Sequence, residues 1–316
     1  MLSLPDFKEK QILFVSAKDA EIEKIKFLND NICFSKNGKI ENRISCHKVF
    51  SLFLVGDCSL TSVLVRNCQD YGVSIFLLKN NFLNYARIVS QAEGNYLLRE
   101  KQYAMDGAQE LVLAKKLVAN KISNQVYLLE NSDGKEAAIS LEKIKAKINV
   151  AENGKDLLGL EGSAGKFFFQ SYFKKFEWKR RMPRAKADIP NYLMDIGYTT
   201  LFNFTEAMLG IYGFDSYRGF YHKLFFQRKS LACDVMEPFR CIIDKQIMKS
   251  NNLGQIKAKD FKVNKGVYCL GFQDQRKYVE IFAQAIMNRK EEIFCYVRDY
   301  YYCVMNGADF PEFKMK

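Results

Sequence analysis

Two carboxylates three residues apart, with a histidine upstream, are the first chemistry the chain offers. His222 is one of two histidines, and it precedes Ser230-Leu-Ala-Cys-Asp234-Val-Met-Glu237-Pro238-Phe-Arg240. One helical turn puts Asp234 and Glu237 on the same face, where two acids favour a cation. The same pair also suits a solvated face, or an acid pair answered by Arg240 and Lys245. A lone histidine is more often a satisfied structural residue than a ligand. His47, next to Cys46 at a strand end with no acid beside it, reads as structural.

The densest positive charge lies at 166–186. Eight bases (Lys166, Lys174, Lys175, Lys179, Arg180, Arg181, Arg184, Lys186) face one acid, Glu177. Phe167, Phe168, Phe169, Tyr172, Phe173, Phe176 and Trp178 are interleaved with them. That mixture can neutralise phosphates and offer ring faces for stacking. The plainer alternative is an amphipathic helix with its rings in the core and its lysines in water. Just upstream, Gly159-Leu-Glu-Gly-Ser-Ala-Gly165-Lys166 fails as a phosphate-binding loop, because Leu160 stands where glycine is needed and Phe167 where Ser or Thr is needed. Gly162, Ala164 and Gly165 are expected instead to let the backbone turn or pack closely around Glu161.

At 316 residues the chain has length for about two domains of ~150 residues each. With 48% hydrophobic and 14% aromatic residues it is no extended disordered tail. The formal charge of +12 points to polyanions, nucleic acid before anionic membrane. Residues 1–90 carry 12 basic and 9 acidic side chains, leaving 36 and 27 for the remainder, so the polyanion surface belongs to the C-terminal part. Nine scattered cysteines suit reduced thiols, and the absence of Cys-x-x-Cys argues against structural zinc. No window reaches the ~18 apolar residues of a membrane span, and the start lacks a signal peptide's apolar core. The expected location is cytoplasmic, away from membranes.

The elements that must position these groups fall into two sets. Gln11–Ser16, Asn31–Lys36, Lys39–Ser45, Val49–Gly56 and Val73–Leu78 read as strands, with a type I′ turn at Asn37-Gly38. Thr61–Asp70 reads as a short helix capped by Ser59 or Thr61. From about Ala92 the period changes, and Leu111, Ala114, Val118, Ile122, Gln125 and Leu129 line one face of a long helix. The five prolines avoid 91–182 and 239–310, which favours helix there. A loop or short connecting helix is expected between Asn131 and Gly159. The fold class is α+β, with a strand-rich N-terminal domain (1–88) and a larger all-helical C-terminal domain (92–316).

Several segments resemble the CRISPR-associated integrases of spacer acquisition, the Cas-one family. Glu161-Gly-Ser-Ala-Gly-Lys is similar to the family's Glu-Gly-small-small block, and Asn191 through Gly197-Tyr198 to its Asn-Ala…Gly-Tyr helix. His222 and the Ser230–Arg240 segment follow, the latter being the most specific match. Ala114–Leu129, with Lys121-Ile-Ser-Asn-Gln125, resembles the helix after the family's domain linker. Tyr192 stands where Ala is usual, and Gly165 where a second Ala is common.

The resemblance implies metal ligation and catalysis by Glu161, His222 and Glu237, supported by Asp234, with Mg²⁺ or Mn²⁺ as cofactor. It implies a role in CRISPR antiviral defence: a DNA 3′-hydroxyl attacks a repeat-end phosphodiester, and water in its place gives nuclease activity. Lys166, Arg180, Arg181, Arg184, Arg218 and Arg240 are the candidate phosphate contacts. The implied partners are double-stranded DNA, a second copy in a homodimer, and the small second adaptation protein, Cas-two. The rival readings are a non-catalytic nucleic-acid-binding scaffold and a plain metal-dependent nuclease.

Overall fold

The computed structural model describes residues 3–17, 21–79, 84–90, 95–176, 178 and 180–316. Glu177, Lys179 and Ala92, which entered the sequence reading, lie outside them. The chain divides into two compact units, 1–99 with 206–214, and 100–205 with 215–316. The expected division near 88–92 did not foresee that residues 206–214 belong with the first unit.

In the first unit, helix α1 (Leu4–Lys8) is followed by strands β1 (Gln11–Ser16), β2 (Lys24–Leu28), β3 (Asn31–Lys36), β4 (Lys39–Ser45), β5 (Val49–Val55) and β6 (Ser59–Leu60). Helix α2 (Ser62–Asp70) and strands β7 (Ser74–Leu78) and β8 (Asn84–Ile88) complete it. Two four-stranded sheets result, ordered β1-β5-β7-β8 and β4-β3-β2-β6. The turn between β3 and β4 has Asn37 and Gly38 at φ 49° and 74°, the positive pair a type I′ hairpin requires. Thr61 caps α2 by accepting from the Leu64 N–H at 3.1 Å, and Ser59 lies in β6. β5 is buried along its whole length. Leu52 and Leu54 join Ile25, Ile32, Phe34, Leu64 and Ile75 in one core, while Phe53 stacks between Phe14 and Phe76 on the other face of its sheet. His47 packs edge-on against Tyr71 at 4.9 Å.

The remaining helices are α3 (Tyr96–Ala104), α4 (Gly107–Glu130), α5 (Lys135–Ala146), α6 (Gly154–Tyr172), α7 (Ile189–Tyr212), α8 (Ser230–Met236), α9 (Arg240–Asn252), α10 (Phe272–Met287) and α11 (Lys290–Asn306). Asp106 and Gln109 form a reciprocal capping box that starts α4. Ala114, Val118, Ile122, Gln125 and Leu129 are buried along α4, as their spacing predicts, and Leu111 is half-buried. The segment expected as a loop or short helix contains α5, and Asn153 caps α6.

The second unit is helical with one exception. Strands β9 (Phe261–Asn264) and β10 (Val267–Leu270) form a hairpin closed by Lys265 and Gly266, both at positive φ. An all-helical C-terminal part is corrected to that extent: the hairpin persists because Phe261 packs on Tyr278 and Tyr192. Among the described residues no helix is long and apolar enough to cross a membrane.

After α11 the chain runs without regular structure, yet Phe313 and Met315 are buried. Phe313 lies edge-on to Phe239 at 4.9 Å. Its backbone exchanges hydrogen bonds with Asn120, donating to Oδ1 at 2.9 Å and accepting from Nδ2 at 2.7 Å. One turn along α4, Asn124 accepts from the Met315 N–H at 2.9 Å and donates to the carbonyls of Phe313 and Pro238 at 2.9 and 3.0 Å. Asn124→Ala removes the described partner of two backbone groups, the Met315 N–H and the Pro238 carbonyl, and one of two donors to the Phe313 carbonyl, so a loss of roughly 2–4 kcal/mol is expected. Thermal unfolding should show a drop of several degrees, together with faster tryptic cleavage at Lys314.

Candidate active site

Four segments of the second unit meet around one lysine that is largely withdrawn from water. Lys121, midway along α4, places its ammonium between two carboxylates, pairing with Glu161 of α6 and lying 2.8 Å from Glu237 Oε2. Arg240 takes the other oxygen of Glu237 at 2.8 Å and lays its guanidinium over the Tyr198 ring at 4.8 Å. The second oxygen of Glu161 accepts from the Tyr221 hydroxyl. His222 Nε2 lies 3.9 Å from Glu237 Oε1. Glu161, His222 and Glu237, far apart in the chain, are thus gathered at one place.

Local sequence accounts for each position. Glu237 and Pro238 open a short 3-10 turn, Glu237–Phe239, between α8 and α9, and Asn124 holds the Pro238 carbonyl from α4. His222 belongs to an irregular loop (213–229) folded onto Asp234. The backbone N–H groups of Phe220, Tyr221 and His222 donate to that carboxylate at 2.8, 3.0 and 2.8 Å, and His222 Nδ1 lies 2.6 Å from Oδ1. Asp234 is fully buried and engaged through both oxygens, so it orients the imidazole rather than facing the cleft. With a carboxylate accepting, Nδ1 carries the proton and the Nε2 lone pair is left free. Gly219 permits this approach, since a Cβ there would stand 2.5 Å from Asp234 Oδ2. Gly197 likewise lets α7 close on α9, where a Cβ would meet Ile243 at 2.3 Å.

Electrostatics hold the centre ionised. Burial raises the Glu237 carboxyl, but the charges of Arg240 and Lys121 outweigh it and bring the pKa down to about 2. Burial works against the Lys121 ammonium too, and Glu161 and Glu237 overcome it, raising its pKa. Asp244 is the opposite case. Burial pushes its pKa up to about 7, although Tyr198 donates to it at 2.7 Å and Arg240, Arg181 and Lys121 pull it down.

The glycines near Glu161 do neither of the things expected of them. Residues 159–166 lie inside α6, and a Cβ at Gly159, Gly162 or Gly165 would meet nothing within 4 Å, so they serve no turn and no close packing. They leave a bare helix face beside a pocket of about 490 Å³, lined by Lys121, Glu161, Lys166, Phe169, Trp178, Arg180 and Arg181. Of the two readings of the 167–178 rings, the core one holds for Phe168, Tyr172, Phe173 and Trp178, which are buried, with Phe168 stacked on Tyr172 at 5.1 Å and Phe169 tilted against Trp178 at 5.1 Å; Phe169 and Phe176 are half-buried and Phe167 is exposed.

The six candidate phosphate contacts separate. Lys166, Arg180 and Arg184 are exposed and show no carboxylate partner for their side chains among the described residues. Arg181 is held by Asp195 at 2.6 Å and Asn191 at 2.9 Å, Arg218 by Glu110 at 2.7 Å, and Arg240 by Glu237. Of the two bases offered as answers to the acid pair, Arg240 takes that role, whereas Lys245 donates to the Lys316 carbonyl. Sequence reasoning passed over Lys121 and Tyr221 as site residues. Lys121 stood in view only as part of Lys121-Ile-Ser-Asn-Gln125, whose three-residue step to Asn124 puts both on the face toward Glu237 and Pro238.

Lys121→Met leaves two buried carboxylates facing each other and should cost roughly 3–5 kcal/mol in metal-free buffer. Adding Glu161→Gln should recover part of that loss, which a double-mutant cycle by chemical denaturation measures. Asp244 sets a separate pH dependence. Its pKa is raised from the ordinary 3.8 to about 7, so the folded state holds a proton the unfolded chain releases, and stability falls as pH rises across that window. The wild type should lose about 1.4 kcal/mol per pH unit there relative to Asp244→Asn, read from melting at pH 5 and pH 8.

Comparison with known proteins follows the same lines. The family description "CRISPR associated protein Cas1" matches residues 15–284. A CRISPR-associated endonuclease Cas1 from Thermodesulfovibrio yellowstonii is 28% identical over 297 residues, covering 88% of this chain and 92% of that protein. A casposase bound to integration product shares the fold at a TM-score of 0.78 and 19% identity, over 96% of this chain and 94% of that one. A chain of a Cas6-RT-Cas1–Cas2 complex also gives 0.78, at 23% identity, over 98% of this chain and 36% of that one. With the family description spanning most of the residues, including all those of the lysine-centred site, the chain belongs to the Cas1 family of CRISPR-associated proteins.

Proposed function

We propose that this chain is a metal-dependent DNA integrase that joins captured fragments to a CRISPR repeat, with nuclease activity when water replaces the attacking hydroxyl. The observation that carries the reading is the meeting of Glu161 and Glu237 across a cation, the Lys121 ammonium, with His222 Nε2 3.9 Å from the other oxygen of Glu237. The similarity to a casposase bound to integration product supports the joining reaction, and the likeness to a chain of a Cas1–Cas2 complex supports a Cas2-type partner.

Among the described residues no three His, Cys, Asp or Glu groups form a ready-made metal cage, because Lys121 sits between the carboxylates. The donor set nevertheless fits a hard divalent ion: two carboxylates and an imidazole suit Mg²⁺ or Mn²⁺ and leave room for phosphate oxygens. Glu161, Glu237 and His222 would hold it, and it would supply Lewis acidity at the scissile phosphate. Asp234 keeps the imidazole in the ligating tautomer. Lys166 and Arg180, on the wall of the pocket that Glu161 lines, grip the DNA backbone.

In the reaction a DNA 3′-hydroxyl bonds to the repeat-end phosphorus as the bond to the departing 3′-oxygen breaks. The attacking hydroxyl loses its proton and the departing oxygen gains one, so the number of phosphodiesters is unchanged. A second copy of the chain and a small second adaptation protein complete the proposed assembly.

Labelled-fragment joining to a repeat-containing plasmid tests the reading. Activity should appear with Mn²⁺ and vanish with EDTA. Glu161→Ala and His222→Ala should abolish joining while duplex affinity stays within roughly threefold, and Asp234→Asn should lower joining about 10- to 100-fold. Undiminished joining by the Glu161 and His222 variants would sink the assignment.

A further inference from the structure

Of the rings at 167–178, Phe168, Tyr172, Phe173 and Trp178 are buried and Phe167 is 46% exposed; the most exposed aromatics of the described residues lie elsewhere, close to His222 in the chain. Two residues beyond His222 begins Leu224-Phe225-Phe226, with relative exposures of 59, 76 and 82%; Phe226 is the most exposed large apolar side chain among the described residues. Among the described residues neither phenylalanine ring packs against another aromatic ring.

The tip is held in shape from below. Asp234 anchors the backbone at 220–222, the Arg228 N–H donates to the Phe225 carbonyl at 3.0 Å, and Ser230 Oγ donates to the Lys223 carbonyl at 3.2 Å. Gln227 takes φ 58°, a conformation few non-glycine residues adopt without a structural reason. Polar backbone contacts thus fix the turn while its apolar side chains face outward.

We propose that Phe225 and Phe226 form a wedge that stacks on unpaired nucleic-acid bases next to the phosphate brought to His222; this rests on the proposed integrase reading. Three observations select nucleic acid as the occupant. The segment 223–229 carries Lys223, Arg228 and Lys229 and no acid. Phe225 is three residues from His222, so its backbone lies within about 11 Å of the residue that ligates at the reacting phosphate. Exposed rings among bases and no acids match the way single strands are gripped and base steps opened.

The test uses the full chain with Mn²⁺ and a duplex bearing 2-aminopurine at the base step flanking the joined phosphodiester. Wild type should raise its fluorescence, and Phe225→Ala/Phe226→Ala should not, while melting within a few degrees of wild type because both rings are exposed. Joining by the double variant should fall about 10-fold or more on the fully paired target and stay within roughly threefold of wild type when that step is unpaired. In Phe226→Trp, DNA should quench the new tryptophan, a reading that needs no joining and so survives failure of the integrase assignment. Equal losses on both targets, no loss on either, or a blue shift on phosphatidylserine vesicles without quenching by DNA would overturn the wedge; the last would assign the tip to a membrane surface.

Discussion

The ammonium of Lys121 between Glu161 and Glu237 is the contact on which the second unit depends. All three side chains are largely withdrawn from water, where an isolated charge is tolerated only when paired. Because the partners come from α4, α6 and the turn after α8, satisfying the charges fixes three elements against one another. Arg240 adds a second cation, so two carboxylates are balanced by two bases, and Tyr198 and Tyr221 close the remaining sides. Asp234 extends the same logic outward by collecting three backbone donors and an imidazole.

Legibility in the sequence followed how local the cause was. Asn37-Gly38 announced its hairpin because those residues tolerate positive φ. Lys265-Gly266 closes the same kind of turn, but a lysine at the first position carries no such signal, and the strands beside it are only four residues each. The buried face of α4 was visible as periodicity, whereas the alternation in β2 runs only over Lys24–Phe27, β8 has no strong alternation, and both owe their place to sheet neighbours. The convergence of Glu161, His222 and Glu237 was legible only through family resemblance, since spacing along the chain does not encode distance. Lys121 was hidden because a lysine within a helix reads as a solvated one until its neighbours are known.

Charge and aromaticity left two readings open in one place. Interleaved bases and rings at 166–178 could have marked a binding face, but pattern alone cannot tell which way a ring points. Four of the seven rings went inward, Phe169 and Trp178 line the pocket, and Phe167 stayed exposed, while the bases Lys166 and Arg180 at its wall kept water contact. The burial of those rings and the exposure of Phe225 and Phe226 are decided by packing, which no composition count reports.

The segment around Phe313 and Met315 ties α4, Phe239 and the Pro238 carbonyl together through Asn120 and Asn124. During synthesis, α4 leaves the ribosome long before residue 315 does. Until that late segment clears the exit tunnel, the asparagines have no backbone to grip and the turn bearing Glu237 is unsecured on one side. A nascent copy therefore lacks these contacts beside Glu237 until Met315 has emerged.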